Sequence, residues 1–127
     1  MSMRLDKSKT LKQLETECDK LWSQAVHKKY GGVCAYSGQE GTDSHHVFLR
    51  RHTATRWDLD NGILLSRERH TEDSSFSAHK TPTRFLAWAM QKMGERKFSE
   101  LEKKSRETFQ PTMRELESII RGLRLKV

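Results

Sequence analysis

The 127-residue chain has few of the features that mark secreted or membrane proteins. Two cysteines, Cys18 and Cys34, are too few for a disulfide-stapled scaffold, and no signal-like apolar segment opens the sequence. No run approaches the roughly 20 apolar residues that cross a bilayer. A reduced, cytoplasmic protein without a membrane role is the expectation. Apolar residues are also scarce. Leu, Ile, Val and Phe number 25, about a fifth of the chain, near the compositional edge of disorder. Helical periodicity argues against disorder. The expectation is therefore one domain with a thin core, whose long apolar helix stripes make a homodimer reasonable.

What the chain does have is positive charge, with a formal net of +7 and an isoelectric point near 9.6. Residues 82–127 carry eleven Lys/Arg against six Asp/Glu, so most of the excess is C-terminal. Such a balance suits a polyanionic partner through steering and counterion release, and equally a solvated charged surface. The basic helices that hold Arg96, Lys97, Lys103, Lys104, Arg106, Arg121, Arg124 and Lys126 could track a nucleic-acid backbone or simply face water.

Periodicity predicts a helix over 6–30, with Leu11, Leu14, Cys18, Leu21, Trp22 and Ala25 on one stripe and "YGG" as its stop. "VCAYSGQEGTD" (33–43) reads as a small hairpin or knuckle. "SHHVFL" (44–49) and "ILLS" (63–66) are strand candidates, joined by a long loop. Residues 66–79 are helix-like but interrupted by "TEDSS". Three helices follow: one from Pro82 to Gly94, one over 95–109, and one opened by Pro111. The fold class is α+β and mostly helical: an N-terminal helix (6–30), a ββα centre (33–80) and C-terminal helices (82–127), forming a single domain.

The centre carries the chemistry. His45 and His46 are adjacent, and strand alternation sends them to opposite faces. Asn61, His70 and His79 follow. A strand–loop–strand–helix arrangement would let imidazoles from strand and helix converge on one divalent cation. The other strand histidine would be free to act as a general base, since its ordinary pKa of about 6.5 suits that role near neutrality. An asparagine at the loop's end could bond the loop backbone and so orient that base.

The block "HHVFLRRHTATRWDLDNGILLSRERH", followed by "FSAHKTPTRFLAWA", resembles the HNH (ββα-metal) endonucleases. Within them it is most similar to the phage NinG/Rap recombination family. The resemblance covers about residues 20–95. It implies His46 as general base, His45 as first metal ligand, and Asn61, fifteen residues after His46, as the middle asparagine of the motif. It implies His70 and His79 as the helical ligands. It also implies a divalent-metal-dependent endodeoxyribonuclease that leaves 5′-phosphate and 3′-hydroxyl ends and acts on branched, junction-type DNA in a phage or prophage setting. A nuclease-derived DNA-binding module that no longer cuts is the alternative from another class; a restriction- or toxin-like nuclease on plain duplex is the third.

Two departures from the family bear on the site. Its usual Cys-x-x-Cys knuckles read Cys34-Ala35-Tyr36-Ser37 and Ser66-Arg67-Glu68-Arg69 here, so no structural zinc is expected. Packing by Trp22, Trp57 and Phe76 is expected to hold the hairpin instead. The family spaces its helical histidines by four, whereas His70 and His79 are nine apart. Nine residues of ideal helix turn through about 900°, which puts them on opposite faces. Either "TEDSS" loops out, or Asp73 replaces His79 as ligand. Arg50, Arg51 and Arg56, beside the base, are candidates to meet phosphate. They are equally candidates for ion pairs with Asp58 and Asp60. Imidazole ligation is compatible with Zn²⁺, Ni²⁺ or Mn²⁺, and Mg²⁺ suits the site only where oxygen ligands join.

Overall fold

The computed structural model describes residues 9–127; the expected helical residues 6–8 lie outside them. The first helix, α1 (Leu11–Lys29), opens with a capping box. The Thr10 hydroxyl accepts from the Gln13 amide, and the Gln13 side chain accepts from the Thr10 amide. Beyond Tyr30, Gly31 and Gly32 take φ of 61° and 73°, conformations that a Cβ disfavours, and the chain turns back.

The strands are β1 (Asp43–His46) and β2 (Gly62–Leu65), paired antiparallel with His45 opposite Ile63 and His46 opposite Gly62. The predicted first strand ran to Leu49. It stops at His46 because Asn61 captures the next residues: its carbonyl accepts from Val47 N–H, and its side chain takes both backbone groups of Phe48. All four residues of β2 are buried. The pleat serves two cores. Leu64 packs with Leu14, Cys18, Trp22 and Val26 of α1, while Ile63 and Leu65 join Val47, Phe76 and Phe85 on the other face.

Three further helices follow: α2 (Pro82–Met93), α3 (Glu95–Ser105) and α4 (Met113–Arg124). The predicted third helix ran to Phe109. It ends at Ser105, and Phe109 instead packs against the α1 cluster. The last helix opens two residues after Pro111, where Thr112 and Glu115 form a second capping box. Leu116, Ile120 and Leu123 of α4 cover the α1 stripe, so the apolar face that suggested a second copy is met within the chain.

The knuckle over 33–41 is held by backbone bonds and rings. Val33 bridges to Glu40, Ala35 N–H donates to the Leu64 carbonyl, and Tyr36 stacks on Phe76 with centroids 3.8 Å apart. The Arg69 guanidinium lies over the other side of Tyr36, 5.0 Å from its centroid. Cys18 and Cys34 are buried in different clusters. Among the described residues, no helix is long and apolar enough to cross a membrane.

Candidate metal centre and its neighbouring histidine

His45 projects from β1 into the second core, edge-on to Phe85, and is 8% exposed. His70 sits in a single π-type turn, Glu68–Glu72, closed by Asp73 N–H donating to the Glu68 carbonyl. After that turn the inserted segment loops out. Asp73 accepts from the Ser75 and Phe76 amides and the Ser75 hydroxyl, folding 73–76 into a tight turn. Ala78 and His79 N–H then donate to the carbonyls of Arg69 and His70, at 2.9 and 3.0 Å. That pairing lays His79 beside His70, and the nine-residue spacing is resolved without an unbroken helix. Asp73 is committed to its own turn and is not among the converging ligands.

His70 Nε2 lies 3.1 Å from His45 Nδ1 and 3.0 Å from His79 Nε2. Its other nitrogen, Nδ1, is 3.0 Å from Asp43 Oδ2. Asp43 is held below the usual carboxylate range: burial opposes this, but bonds from His70, Thr42 and Arg67 outweigh it. An ionised carboxylate only accepts, so His70 Nδ1 carries the proton and Nε2 presents a lone pair. One lone pair cannot satisfy two neighbouring nitrogens. A cation between the three can. Tetrahedral coordination at about 2.0–2.1 Å places nitrogens about 3.3–3.4 Å apart, close to the spacing here. The three histidines are therefore near enough to hold a metal ion, with further positions open to water or substrate. Burial, reinforced by His70 and His79, pushes His45 down to about 3, so it is neutral at pH 7 as a ligand must be. His79 is lowered for the same reasons, burial and then His70.

His46 faces the opposite way. Its ring stacks on Trp22 of α1, centroids 3.8 Å apart and planes within 5°. Gly62 makes this fit: a Cβ there would meet Trp22 at 2.9 Å and Val26 closer still. His46 Nε2 lies 2.9 Å from the Arg56 carbonyl, which can only accept. The proton is on Nε2, and Nδ1 keeps the lone pair with no hydrogen bond among the described residues. Burial lowers the His46 pKa overall, against the Arg56 bond and Asp19, which raise it.

Asn61 is fully buried and does not touch His46. Its oxygen accepts from Phe48 N–H, and its amide donates to the Phe48 and Thr55 carbonyls. It pins the loop on both sides, and the residue after Thr55 supplies the carbonyl that orients His46. Asn61 thus acts on that ring at one remove.

The loop arginines differ from one another. Arg56 is bidentate to Asp19, at 3.0 and 2.7 Å, and reaches Glu15; its side chain is 14% exposed. It is a strut between loop and α1, its guanidinium engaged by carboxylates of that helix. Arg50 also leans on Asp19, at 3.2 Å, though it stays exposed. Arg51 is exposed with no ion pair among the described residues. The partner acid is Asp19 rather than Asp58 or Asp60, which pair with Lys104, and with Lys97 and Lys29. Trp57 Nε1 also donates to Asp19, so one carboxylate of α1 organises the loop.

Sequence reasoning missed Asp43 and Arg67. Asp43 stands two residues before His45, on the same face of the strand, and that spacing was the available signal. Arg67, exposed, reaches Asp43 at 3.5 Å. Two stretches, 44–57 and 74–94, surround the histidines and contain no Asp or Glu, but do contain Arg50, Arg51, Arg56, Lys80, Arg84 and Lys92. No family model matches the chain, and neither a curated protein nor a solved structure does.

Proposed function

We propose that the chain is a divalent-metal-dependent endodeoxyribonuclease of the HNH (ββα-metal) type. β1, the loop, β2 and the His70 turn are its hairpin-and-helix element. The observation that carries this reading is the split of the adjacent pair. His45 Nδ1 converges with His70 and His79, while His46 is held apart on the other face with a free Nδ1. A binding site alone has no use for that second, oriented imidazole.

In-line displacement at phosphorus needs the attacking water and the departing oxygen on opposite sides. Residues adjacent on a strand are about 3.8 Å apart at Cα and face opposite ways, which suits that requirement. His46 Nδ1 takes a proton from water as its oxygen bonds to phosphorus. The phosphorus–O3′ bond breaks, and the departing oxygen is protonated from solvent, giving 5′-phosphate and 3′-hydroxyl ends. A cation held by His45, His70 and His79 would supply charge neutralisation at the phosphate and the departing oxygen. Asp43 fixes the His70 tautomer, Asn61 and Arg56 fix the His46 ring, and Arg51 is the loop cation left to meet phosphate. The resemblance points to branched DNA as substrate.

The test is cleavage of supercoiled plasmid and of a synthetic four-way junction with Mg²⁺, Mn²⁺, Zn²⁺ or chelator. Metal-dependent cutting is expected to fall by about 10²–10⁴ in His46→Ala. Junction cutting without duplex cutting supports the recombination substrate. The lost knuckle cysteines, with Ser37, Ser66 and Arg69 in their places, and the segment inserted before His79 favour a second reading, a DNA-binding module that does not cut. Tight binding with no cleavage under any metal would establish it and end the first.

A further inference from the structure

Between the loop after β1 and the start of α2 runs an open groove of about 290 Å³. His45 and His79 form one rim of it, so it is continuous with the candidate metal centre. The rest of its lining is apolar or aromatic: Phe48 and Leu49 on the loop side with His52, Pro82, Phe85 and Leu86 on the α2 side. Leu49 and Leu86 are 48% and 37% exposed, an apolar display left uncovered by the described residues. No Asp, Glu, Lys or Arg lines the groove. The two segments that build the walls are free of acids and carry Arg51, Lys80 and Arg84, which make no ion pair among the described residues, though Arg84 donates to the Ser75 carbonyl.

We propose that this groove seats one unpaired nucleobase of a DNA strand whose neighbouring phosphate lies at the histidine trio; this rests on the nuclease reading above. The occupant must present an apolar, flat face within one nucleotide's length of a phosphate. Paired duplex does not, because its bases are stacked inside and its outer ridges are phosphate. An unstacked nucleotide does. A cavity of about 150 Å³ is enough to take benzene, so the groove has room for a purine. The partly exposed Phe48 and His52 rings supply faces against which a base can stack, which single-strand-binding proteins use without regard to sequence. The substrate class that follows is DNA with an unpaired or splayed base beside the scissile bond.

The test uses the full chain carrying His46→Ala, so that the strand stays intact. A single-stranded oligonucleotide with one 5-iodouracil is photocrosslinked and the adducts are mapped by peptide mass spectrometry. Adducts on Phe48 or His52 are expected. Leu49→Ser and Leu86→Ser change half-exposed side chains on opposite walls and leave the core intact. Each is expected to weaken single-strand binding about tenfold, with duplex binding changed less than about twofold. Adducts confined to other surfaces, or equal losses on single strand and duplex, overturn the groove while leaving the nuclease reading standing. A concentration-dependent dimer that Leu86→Ser abolishes, with no adducts in the groove, assigns this face to a second copy and also overturns it. Failure to bind DNA in any form sinks both readings together.

Discussion

Asp43 gives His70 its job. The pair makes a carboxylate–imidazole couple in which the carboxylate accepts a hydrogen bond from Nδ1–H and so turns the Nε2 lone pair toward His45 and His79. Outer partners of this kind typically contribute ten- to a hundredfold to metal affinity. Asp43→Asn keeps an acceptor for Nδ1 but loses the charge that fixes the tautomer and balances Arg67. We expect Zn²⁺ affinity, measured by titration calorimetry, to fall by about 10–100-fold, with far-ultraviolet circular dichroism unchanged. Unaltered affinity would mean that the trio binds without help from Asp43. His46→Ala should leave the Zn²⁺ isotherm as it is, because His46 faces α1 and not the trio.

At the scale of elements, β2 is the hub, and Gly62 sets how closely α1 approaches it. The glycine sits opposite His46 in the ladder, beneath Trp22 and Val26. Its φ of −108° is open to any residue, so space is the constraint. Gly62→Ala drives a methyl into Trp22 and Val26 and must push α1 outward; overpacking of this sort costs about 1–3 kcal/mol. The expected result is that much loss in urea-induced unfolding, together with weakened His46–Trp22 stacking seen as a change in tryptophan emission. A variant as stable as the parent would show that α1 is not seated on this glycine. Much at this scale was legible from sequence. The α1 stripe, the "YGG" stop, both strands and α2 follow from local periodicity and turn chemistry. Three features were not, because their causes are tertiary: β1 ends where Asn61 takes the Phe48 backbone, α3 ends where Phe109 turns into the core, and His79 reaches its place through backbone pairing with His70. The residue types of the site were legible; that Arg56 would be spent on Asp19 was not, since Asp19 is 37 residues away, on α1.

At the scale of the whole molecule, the charge balance along the sequence does not locate the free positive surface. The C-terminal excess is partly spent inside the chain: Lys97 and Lys104 on Asp60 and Asp58, Arg124 on Glu17, Arg96 and Arg106 on glutamates one turn away. The two acid-free stretches, 44–57 and 74–94, lie instead on either side of the His70 turn, which itself carries Glu68 and Glu72; there three imidazoles converge beside Asp43 and burial holds His45 neutral. That arrangement makes global stability depend on pH in a defined direction. His45 has a folded pKa of about 3 against an ordinary 6.5, so below 6.5 the unfolded chain binds a proton that the folded chain refuses. Stability is therefore intact above about pH 6.5 and falls as pH drops toward 3. His46 and His79, also lowered, act with the same sign; Asp43, lowered as well, adds its own loss only below the ordinary carboxylate range near 4. Between pH 7.5 and 5.0 in chelator, His45 alone should remove about 2 kcal/mol from the unfolding free energy. His45→Gln should flatten much of that slope. Excess Zn²⁺ should add about 2.7 kcal/mol at a hundred times its dissociation constant at pH 7.5, and much less at pH 5.0, because protons compete for the same lone pairs. Urea titrations at the two pH values, with and without Zn²⁺, read all of this. A flat profile in chelator would show that the imidazoles take up protons without cost and are not held together as a ligand set.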